Sequence, residues 1–187
     1  MIDGDDHHPK TNIEKMSRGQ ALDDQDRLPW LGRLREIGVR ELEEEVSRRG
    51  KTTGEEDVGV VLVCSSLKRF YRQILRGKLK VERAPDSPPG KITYEVREVD
   101  EKTPSVLLPT TYFVWIEGDK ETLRDRMLKR QGHFFKAEML DSQFQAFEPP
   151  EGESGVVVVP LEPSTEEQTE IALKGLRAIS GADSVTY

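Results

Sequence analysis

Apolar positions along this chain follow two patterns. Three short runs are continuous: Val58-Gly59-Val60-Val61-Leu62-Val63-Cys64, Thr111-Tyr112-Phe113-Val114-Trp115-Ile116 and Val156-Val157-Val158-Val159. β-Branched runs without polar alternation suit parallel strands covered on both faces. Other apolar residues recur at helical spacing. Trp30, Leu31, Leu34 and Ile37 form one such stripe, and Arg40 to Arg49 continues it as a charged, solvated segment. Glu121 to Lys129 reads as a helix after Gly118-Asp119. Ser164-Thr165-Glu166-Glu167 reads as an N-terminal cap ahead of Ile171, Leu173, Leu176 and Ile179. Strands alternating with helices predict one α/β domain over residues 1–187, built on a mostly parallel sheet.

Gly77 to Thr110 breaks this rhythm. It is rich in Lys, Glu and Pro, and Pro85-Asp86-Ser87-Pro88-Pro89-Gly90 is a strong turn signal. Beyond the turn, Ile92, Tyr94 and Val96 alternate with Thr93 and Glu95, the pattern of a half-exposed strand. The segment reads as an inserted hairpin or loop. Long surface insertions cost little free energy, so a peripheral decoration without catalytic role is the simpler account of it.

Composition narrows the classes. The 187 residues have room for a core but are only 35% hydrophobic and 34% charged, which predicts a compact domain with sizeable charged loops. A net charge of −7 argues against non-specific nucleic-acid binding, which needs Lys and Arg to replace phosphate counterions. Phosphate chemistry needs only a few local cations and stays open. The single cysteine, Cys64, rules out an intramolecular disulfide. No apolar run approaches the roughly 20 residues that span a bilayer, and the acidic start has no signal-peptide character. A cytoplasmic protein with no membrane partner is the expectation.

Four places concentrate chemistry. The first is Asp3-Gly4-Asp5-Asp6-His7-His8-Pro9-Lys10. A carboxylate at the end of a parallel strand sits where open α/β sheets bind ligands, and there it can hold Mg²⁺ through water or accept a hydroxyl proton. A mobile acidic terminus is the competing account. His7-His8 lacks the spacing and further ligands of a zinc site. The second place is Asp23-Asp24-Gln25-Asp26-Arg27-Leu28-Pro29. Aspartates ahead of Pro29 suit a helix N-terminus, whereas the planar fork of Arg27 suits a carboxylate. The third is Cys64-Ser65-Ser66-Leu67-Lys68-Arg69, with Tyr71-Arg72 after it. Hydroxyls at a strand's carboxyl end followed by basic residues make either a polyol- and anion-binding rim or an ordinary Ser cap on a basic helix. Cys64 reads as core. The fourth is Arg124 to Lys136, in which Arg126 and Arg130 share a helix face ahead of Gly132. That arrangement is either a phosphate clamp or a solvated basic face.

Taken together, the segments resemble the gluconokinase family, within the P-loop kinases related to shikimate and adenylate kinases. The resemblance rests on Asp3-Gly4-Asp5 with His8-Pro9 and Asn12-Ile13-Glu14-Lys15-Met16, and on Asp24-Gln25-Asp26-Arg27-Leu28-Pro29-Trp30-Leu31. It continues through Cys64-Ser65-Ser66-Leu67-Lys68 with Tyr71-Arg72, Arg126 with Arg130 and Gly132-His133-Phe134-Phe135, and Leu140-Asp141-Ser142-Gln143-Phe144 followed by Glu148-Pro149. These occur in family order and cover most of the chain outside Gly77 to Thr110.

The resemblance implies a three-layer P-loop kinase-like fold and ATP-dependent phosphorylation of the 6-hydroxyl of D-gluconate, with Mg²⁺. It implies that Asp3 helps hold the metal and that Asp5 contacts the reacting hydroxyl as base. His8, Arg27, Ser65, Lys68 and His133 would line the gluconate pocket. Arg126 and Arg130 would stabilise the transferring phosphoryl group, Arg130 as a catalytic residue, within a lid over 130–147. Two positions depart from the family: Ser66 where Ala is usual, and His7 where an apolar residue is usual. A larger departure concerns the P-loop. The family's first strand and its G-x-x-x-x-G-K-[ST] loop precede the positions of Asp3-Gly4-Asp5, and no such motif occurs in these residues. On this reading the first strand and P-loop are missing, with neighbouring strands left unpaired. A catalytically inactive paralogue that binds or regulates an intact kinase is the alternative, and a kinase for another sugar acid is a third. A homodimer is left open.

Overall fold

A computed structural model describes residues 1–49, 58–99, 109–129 and 140–181. Their elements run β1 (Ile2–Asp3), α1 (Lys10–Ser17), α2 (Asp24–Arg49), β2 (Leu62–Val63), α3 (Arg69–Leu75), β3 (Leu79–Arg83), β4 (Tyr94–Glu98), β5 (Phe113–Glu117), α4 (Lys120–Lys129), α5 (Leu140–Ala146), β6 (Val156–Pro160) and α6 (Thr165–Ser180). A 3-10 turn, Gly4–His7, follows β1. The chain groups into two compact units, one carrying β1–β4, α1–α3 and α5, the other β5, β6, α4 and α6.

In the first unit β1 and β2 pair in parallel, with Ile2 opposite Leu62 and Asp3 opposite Val63. The core lies under them on α2 and α3, where Trp30, Leu31, Leu34, Tyr71 and Ile74 are at most 1% exposed. The stripe at helical spacing on α2 is thus the buried face, and its charged continuation is solvated as expected. The helix starts well before Pro29, however, at Asp24. Asp26 N donates to Asp23 Oδ1 at 3.0 Å and Asp23 N donates to Asp26 Oδ2 at 2.9 Å. This reciprocal pair satisfies two of the backbone donors that a helix start leaves orphaned, so Pro29 falls inside the helix.

The Val58 run forms a much shorter strand than its composition suggests. Only Leu62 and Val63 are paired, and Val61 and Val63 stay 63% and 51% exposed. A strand extends only as far as a partner satisfies its backbone, and β1 offers two residues. β3 and β4 pair antiparallel from Leu79–Glu98 to Arg83–Tyr94 and pack against α2. Ser87 closes their connection by donating to Ala84 O at 2.8 Å and accepting from Thr93 N at 3.1 Å. At the turn end of the hairpin, Gln25 uses its amide as a surrogate strand. Its Nε2 donates to Tyr94 O at 3.0 Å, and its Oε1 accepts from Tyr94 N at 2.8 Å.

In the second unit β5 and β6 pair in parallel from Phe113–Val156 to Glu117–Pro160, and α6 packs on β6. Continuous apolar runs led us to expect cover on both faces. Within this unit Val157 and Val159 are buried while Val114, Ile116 and Val158 are each more than 40% exposed. α6 covers one face of the pair, and the period-two alternation of strand side chains leaves the other in view. The Ser164 cap forms as read: Glu167 N donates to Ser164 Oγ, and Ser164 N donates to Glu167 Oε2 at 2.9 Å.

Candidate functional site

The candidate site lies in the first unit, where β1 and β2 end side by side. Carboxyl ends of parallel strands are where open α/β sheets place ligands. From β1 the chain turns at once. Asp3, exposed at the strand end, accepts from Asp5 N at 3.0 Å and so caps the 3-10 turn. Asp3 thus closes the strand, and Asp5 sits on the turn. Gly4 makes this geometry feasible. A Cβ there would stand 2.7 Å from Val63 O, 3.0 Å from Cys64 Cβ and 3.3 Å from Leu34 Cδ1. The turn is pressed onto the end of β2 and onto α2, and Trp30 Nε1 ties it down by donating to Gly4 O at 2.8 Å.

His8 follows the turn. Its ring stacks on Trp30 with centroids 4.2 Å apart and planes inclined 12°. Its side chain is only 5% exposed, and its Nε2 is 4.0 Å from Asp5 Oδ1. Burial pulls the imidazole pKa down to about 4; the Asp5 charge opposes that and Arg27 reinforces it. His8 is thus neutral at neutral pH. Asn12 Nδ2, on α1, lies 3.4 Å from His8 Nδ1 and donates to Asp26 O at 2.8 Å.

Lys68 bonds the carboxylate of Asp24, and Arg27 acts on it through its charge. Arg27 is 7% exposed on the first turns of α2. Lys68, at the start of α3, donates from Nζ to Asp24 Oδ1 at 2.8 Å and to Oδ2 at 2.9 Å. Tyr71 Oη donates to the same Oδ1. Burial alone would raise the Asp24 pKa, but the bonds from Lys68 and Tyr71, with the charges of Lys68 and Arg27, hold it below the usual carboxylate range. Tyr71 is pushed well above its ordinary value, by burial first and by its bond to Asp24 second. Burial pushes the half-buried Cys64 thiol up to about 12, with the charge of Asp5 adding to it, which leaves it inert and fits its reading as core.

Ser65 is exposed on the loop between β2 and α3. Neither serine caps α3; Lys68 occupies the N-cap position, without a side-chain cap bond. Arg72, which would face outward both in an anion-binding rim and on an exposed basic helix, turns inward instead. It is 2% exposed, and its Nη1 donates to Ser66 O at 2.9 Å and Leu67 O at 3.2 Å. Three residues into α3, it faces the core and holds the loop in place.

Asp5, His8, Arg27 and Lys68 are thus gathered around the ends of β1 and β2, linked through Asp24 and the Trp30 stack. Arg126 belongs to the second unit, where its Nη2 donates to Leu161 O at 2.8 Å. Arg130 and His133 lie outside the described residues, as does most of the expected lid. Sequence reasoning missed the parts played by Asp24, Asn12 and Trp30. Asp24 has a sufficient local explanation at the helix start, and its partners lie 44 and 47 residues away. For Asn12 the only signal was its place in the quoted family segment.

Among the described residues no cluster of three His, Cys, Asp or Glu side chains is arranged to hold a metal ion. Magnesium is commonly held by one or two carboxylates with retained waters and substrate phosphates. Asp3, whose Oδ1 is committed to the turn, fits a single water-mediated contact of that kind.

Comparison with known proteins decides the family. A thermosensitive gluconokinase of Escherichia coli K12 is 36% identical over 158 residues, covering 84% of this chain and 63% of that protein. Probable gluconokinases of Xenopus tropicalis and Schizosaccharomyces pombe are 38% and 35% identical, covering 87% and 92% of this chain and 72% of each relative. The chain belongs to the gluconokinase family. No family model matches. Among solved structures, a gluconokinase from Sinorhizobium meliloti 1021 is 32% identical with a TM-score of 0.61, over all of this chain and 82% of that one. An unliganded sugar kinase from Janibacter sp. HTCC2649 gives a TM-score of 0.65 at 29% identity. The fold is therefore the α/β fold of P-loop-type kinases, with parallel pairing in β1–β2 and β5–β6. The chain spans 63% of the length of the Escherichia coli thermosensitive relative. No described helix is long and apolar enough to cross a membrane.

Proposed function

We propose that this gluconokinase-family chain carries the sugar-acid side of an ATP-dependent phosphorylation of D-gluconate at its 6-hydroxyl. The observation that supports it is the convergence of Asp5, His8, Arg27 and Lys68 at the carboxyl ends of β1 and β2. Gluconate is a chain of hydroxyls ending in a carboxylate, and it asks for both kinds of group. In this reading Arg27 meets the carboxylate with its planar fork. Lys68 and Ser65 bond the polyol. Neutral His8 and Asp5 take the end that reacts, with Asp5 accepting the proton of the 6-hydroxyl. Phosphoryl transfer depends mainly on positioning and electrostatics, so a pre-positioned set of partly buried charges is suited to it. For His133 the family resemblance suggests a role in gluconate binding, and for Arg126 and Arg130 a role in stabilising the transferring phosphoryl group.

Mg²⁺, met by Asp3, would neutralise charge on the nucleotide phosphates. These 187 residues contain no Walker-type loop, so no phosphate-cradling step is assigned to them. The test uses the protein carrying a strand and Walker-type loop ahead of Met1. Gluconate-dependent ADP release should be seen, and Asp5→Asn should lower turnover by roughly 10²–10⁴-fold, the usual contribution of general base catalysis. Unchanged turnover in Asp5→Asn, or no 6-phosphogluconate at all, would contradict the proposal.

A further inference from the structure

We propose that Asn12 is a positioning residue that locks His8 as the Nε2–H tautomer and so aims a hydrogen-bond donor at Asp5. The inference rests on the sugar-acid reading only for its use in catalysis; the tautomer itself follows from the geometry.

Asn12 is a buried polar residue, 3% exposed, on the face of α1 that meets α2. Its Nδ2 is 2.8 Å from Asp26 O. A backbone carbonyl only accepts, so the nitrogen of the amide, not its oxygen, faces Asp26. The same nitrogen lies 3.4 Å from His8 Nδ1. An amide nitrogen only donates, so Nδ1 is the accepting nitrogen and a neutral ring carries its proton on Nε2. That nitrogen lies 4.0 Å from Asp5 Oδ1, within reach of its charge though longer than a hydrogen bond. The opposite tautomer would set two N–H groups against each other in a buried place and leave Nε2 as an acceptor facing a carboxylate, two unfavourable contacts for the same ring.

Four further contacts keep the arrangement in register. Trp30, 1% exposed, lies flat against the imidazole and is itself fixed through Gly4 O. Asp26, whose carbonyl orients Asn12, is pinned by Lys15 and by Asp23. The charged groups facing His8 are Asp5 and Arg27, of opposite sign, and burial disfavours a second proton. His8 therefore acts as a neutral donor and leaves Asp5 as the acceptor at this end of the site. A ring nitrogen fixed by a partner on the other nitrogen is the usual way proteins select a histidine's role.

The test is nitrogen-15 NMR of the histidine rings in the ligand-free 187-residue chain. There are three histidines, His7, His8 and His133, so His7→Gln and His133→Gln assign the His8 signals. The expected result at neutral pH is a protonated-type Nε2 and an unprotonated-type Nδ1. In Asn12→Asp, a carboxylate now faces Nδ1, and the proton should move there, with the His8 pKa rising by at least one unit. A wild-type chain showing an Nδ1–H or an even mixture of tautomers overturns the proposal, whether or not Asn12→Asp folds. Adding D-gluconate to the wild-type sample reads the other question separately. A shift at His8 Nε2 supports the sugar-acid reading; its absence counts against that reading and leaves the tautomer result standing.

Discussion

Replacing Gly4 by alanine tests how tightly the turn bearing Asp3 and Asp5 is held. The added Cβ would lie 2.7 Å from Val63 O, where ordinary contact begins at 3.4 Å, so the backbone must separate by about 0.7 Å (3.4 − 2.7). Val63 O is main chain in β2, and Cys64 Cβ and Leu34 Cδ1 close the other directions at 3.0 and 3.3 Å, so no flexible side chain can simply rotate away. Overpacking of this kind typically costs about 1–3 kcal/mol. At this chain length that corresponds to a fall in Tm of several degrees. The displacement matters more for the site, because a misplacement of about 1 Å can cost on the order of 10²-fold in reactivity. We therefore expect Gly4→Ala to lower Tm and weaken gluconate binding at least tenfold. Gly38→Ala supplies the contrast: on the same helix system nothing lies within 4 Å of the added methyl. It should stabilise α2 by about 0.5–1 kcal/mol and leave binding untouched. Differential scanning fluorimetry and calorimetric titration of both variants suffice. A Gly4→Ala chain with wild-type Tm and affinity would refute the claim that close approach fixes the turn.

Three further outcomes are expected. The His8 pKa is lowered from 6.5 to about 4, so the unfolded chain takes up a proton that the folded chain refuses. Stability is then full above about pH 6.5 and falls toward pH 4, by at most about 3 kcal/mol at roughly 1.4 kcal/mol per pH unit, and His8→Gln should flatten this slope in urea melts between those limits. Asp24→Asn removes the charge that Lys68 and Tyr71 share; because the Asp24 side chain is 45% exposed, solvent screening limits the stability loss to about 1 kcal/mol, while gluconate binding should weaken as Lys68 loses its anchor. Ser164→Ala breaks the capping box of α6 and should cost about 0.5–2 kcal/mol, read as a lower urea midpoint, with no effect on binding in the other unit.

Local features were legible in the sequence and long-range ones were not. The Ser164 box is written within four residues, and the Trp30, Leu31, Leu34 and Ile37 stripe within eight, so each appears where the pattern put it. The start of α2 escaped because Pro29 is a conspicuous N1 signal, while the pair that sets the boundary is two aspartates capping each other three residues apart. The strand from Val58 was over-read because residue type gives only strand propensity; strand length depends on the partner, and β1 supplies two residues. Charge alone leaves Arg72 open between a binding rim and an exposed basic face, yet its position on α3 turns it to the core. The family motifs named Asp5, His8, Arg27 and Lys68, but not how they are held. Asp24 ties Lys68 and Tyr71 across more than 40 residues of chain, and no local spacing encodes that.

The claim that Asp5, His8, Arg27 and Lys68 form one sugar-acid site is tested most directly by calorimetric titration of the chain with D-gluconate, with D-sorbitol in parallel. The two ligands share the polyol and differ at the carboxylate. The account predicts saturable one-to-one binding of gluconate, none of sorbitol in the same range, and a loss of roughly tenfold or more in Arg27→Lys, which keeps the charge but removes the fork. Equal heats for the two ligands, or wild-type gluconate affinity in Arg27→Lys, would contradict it.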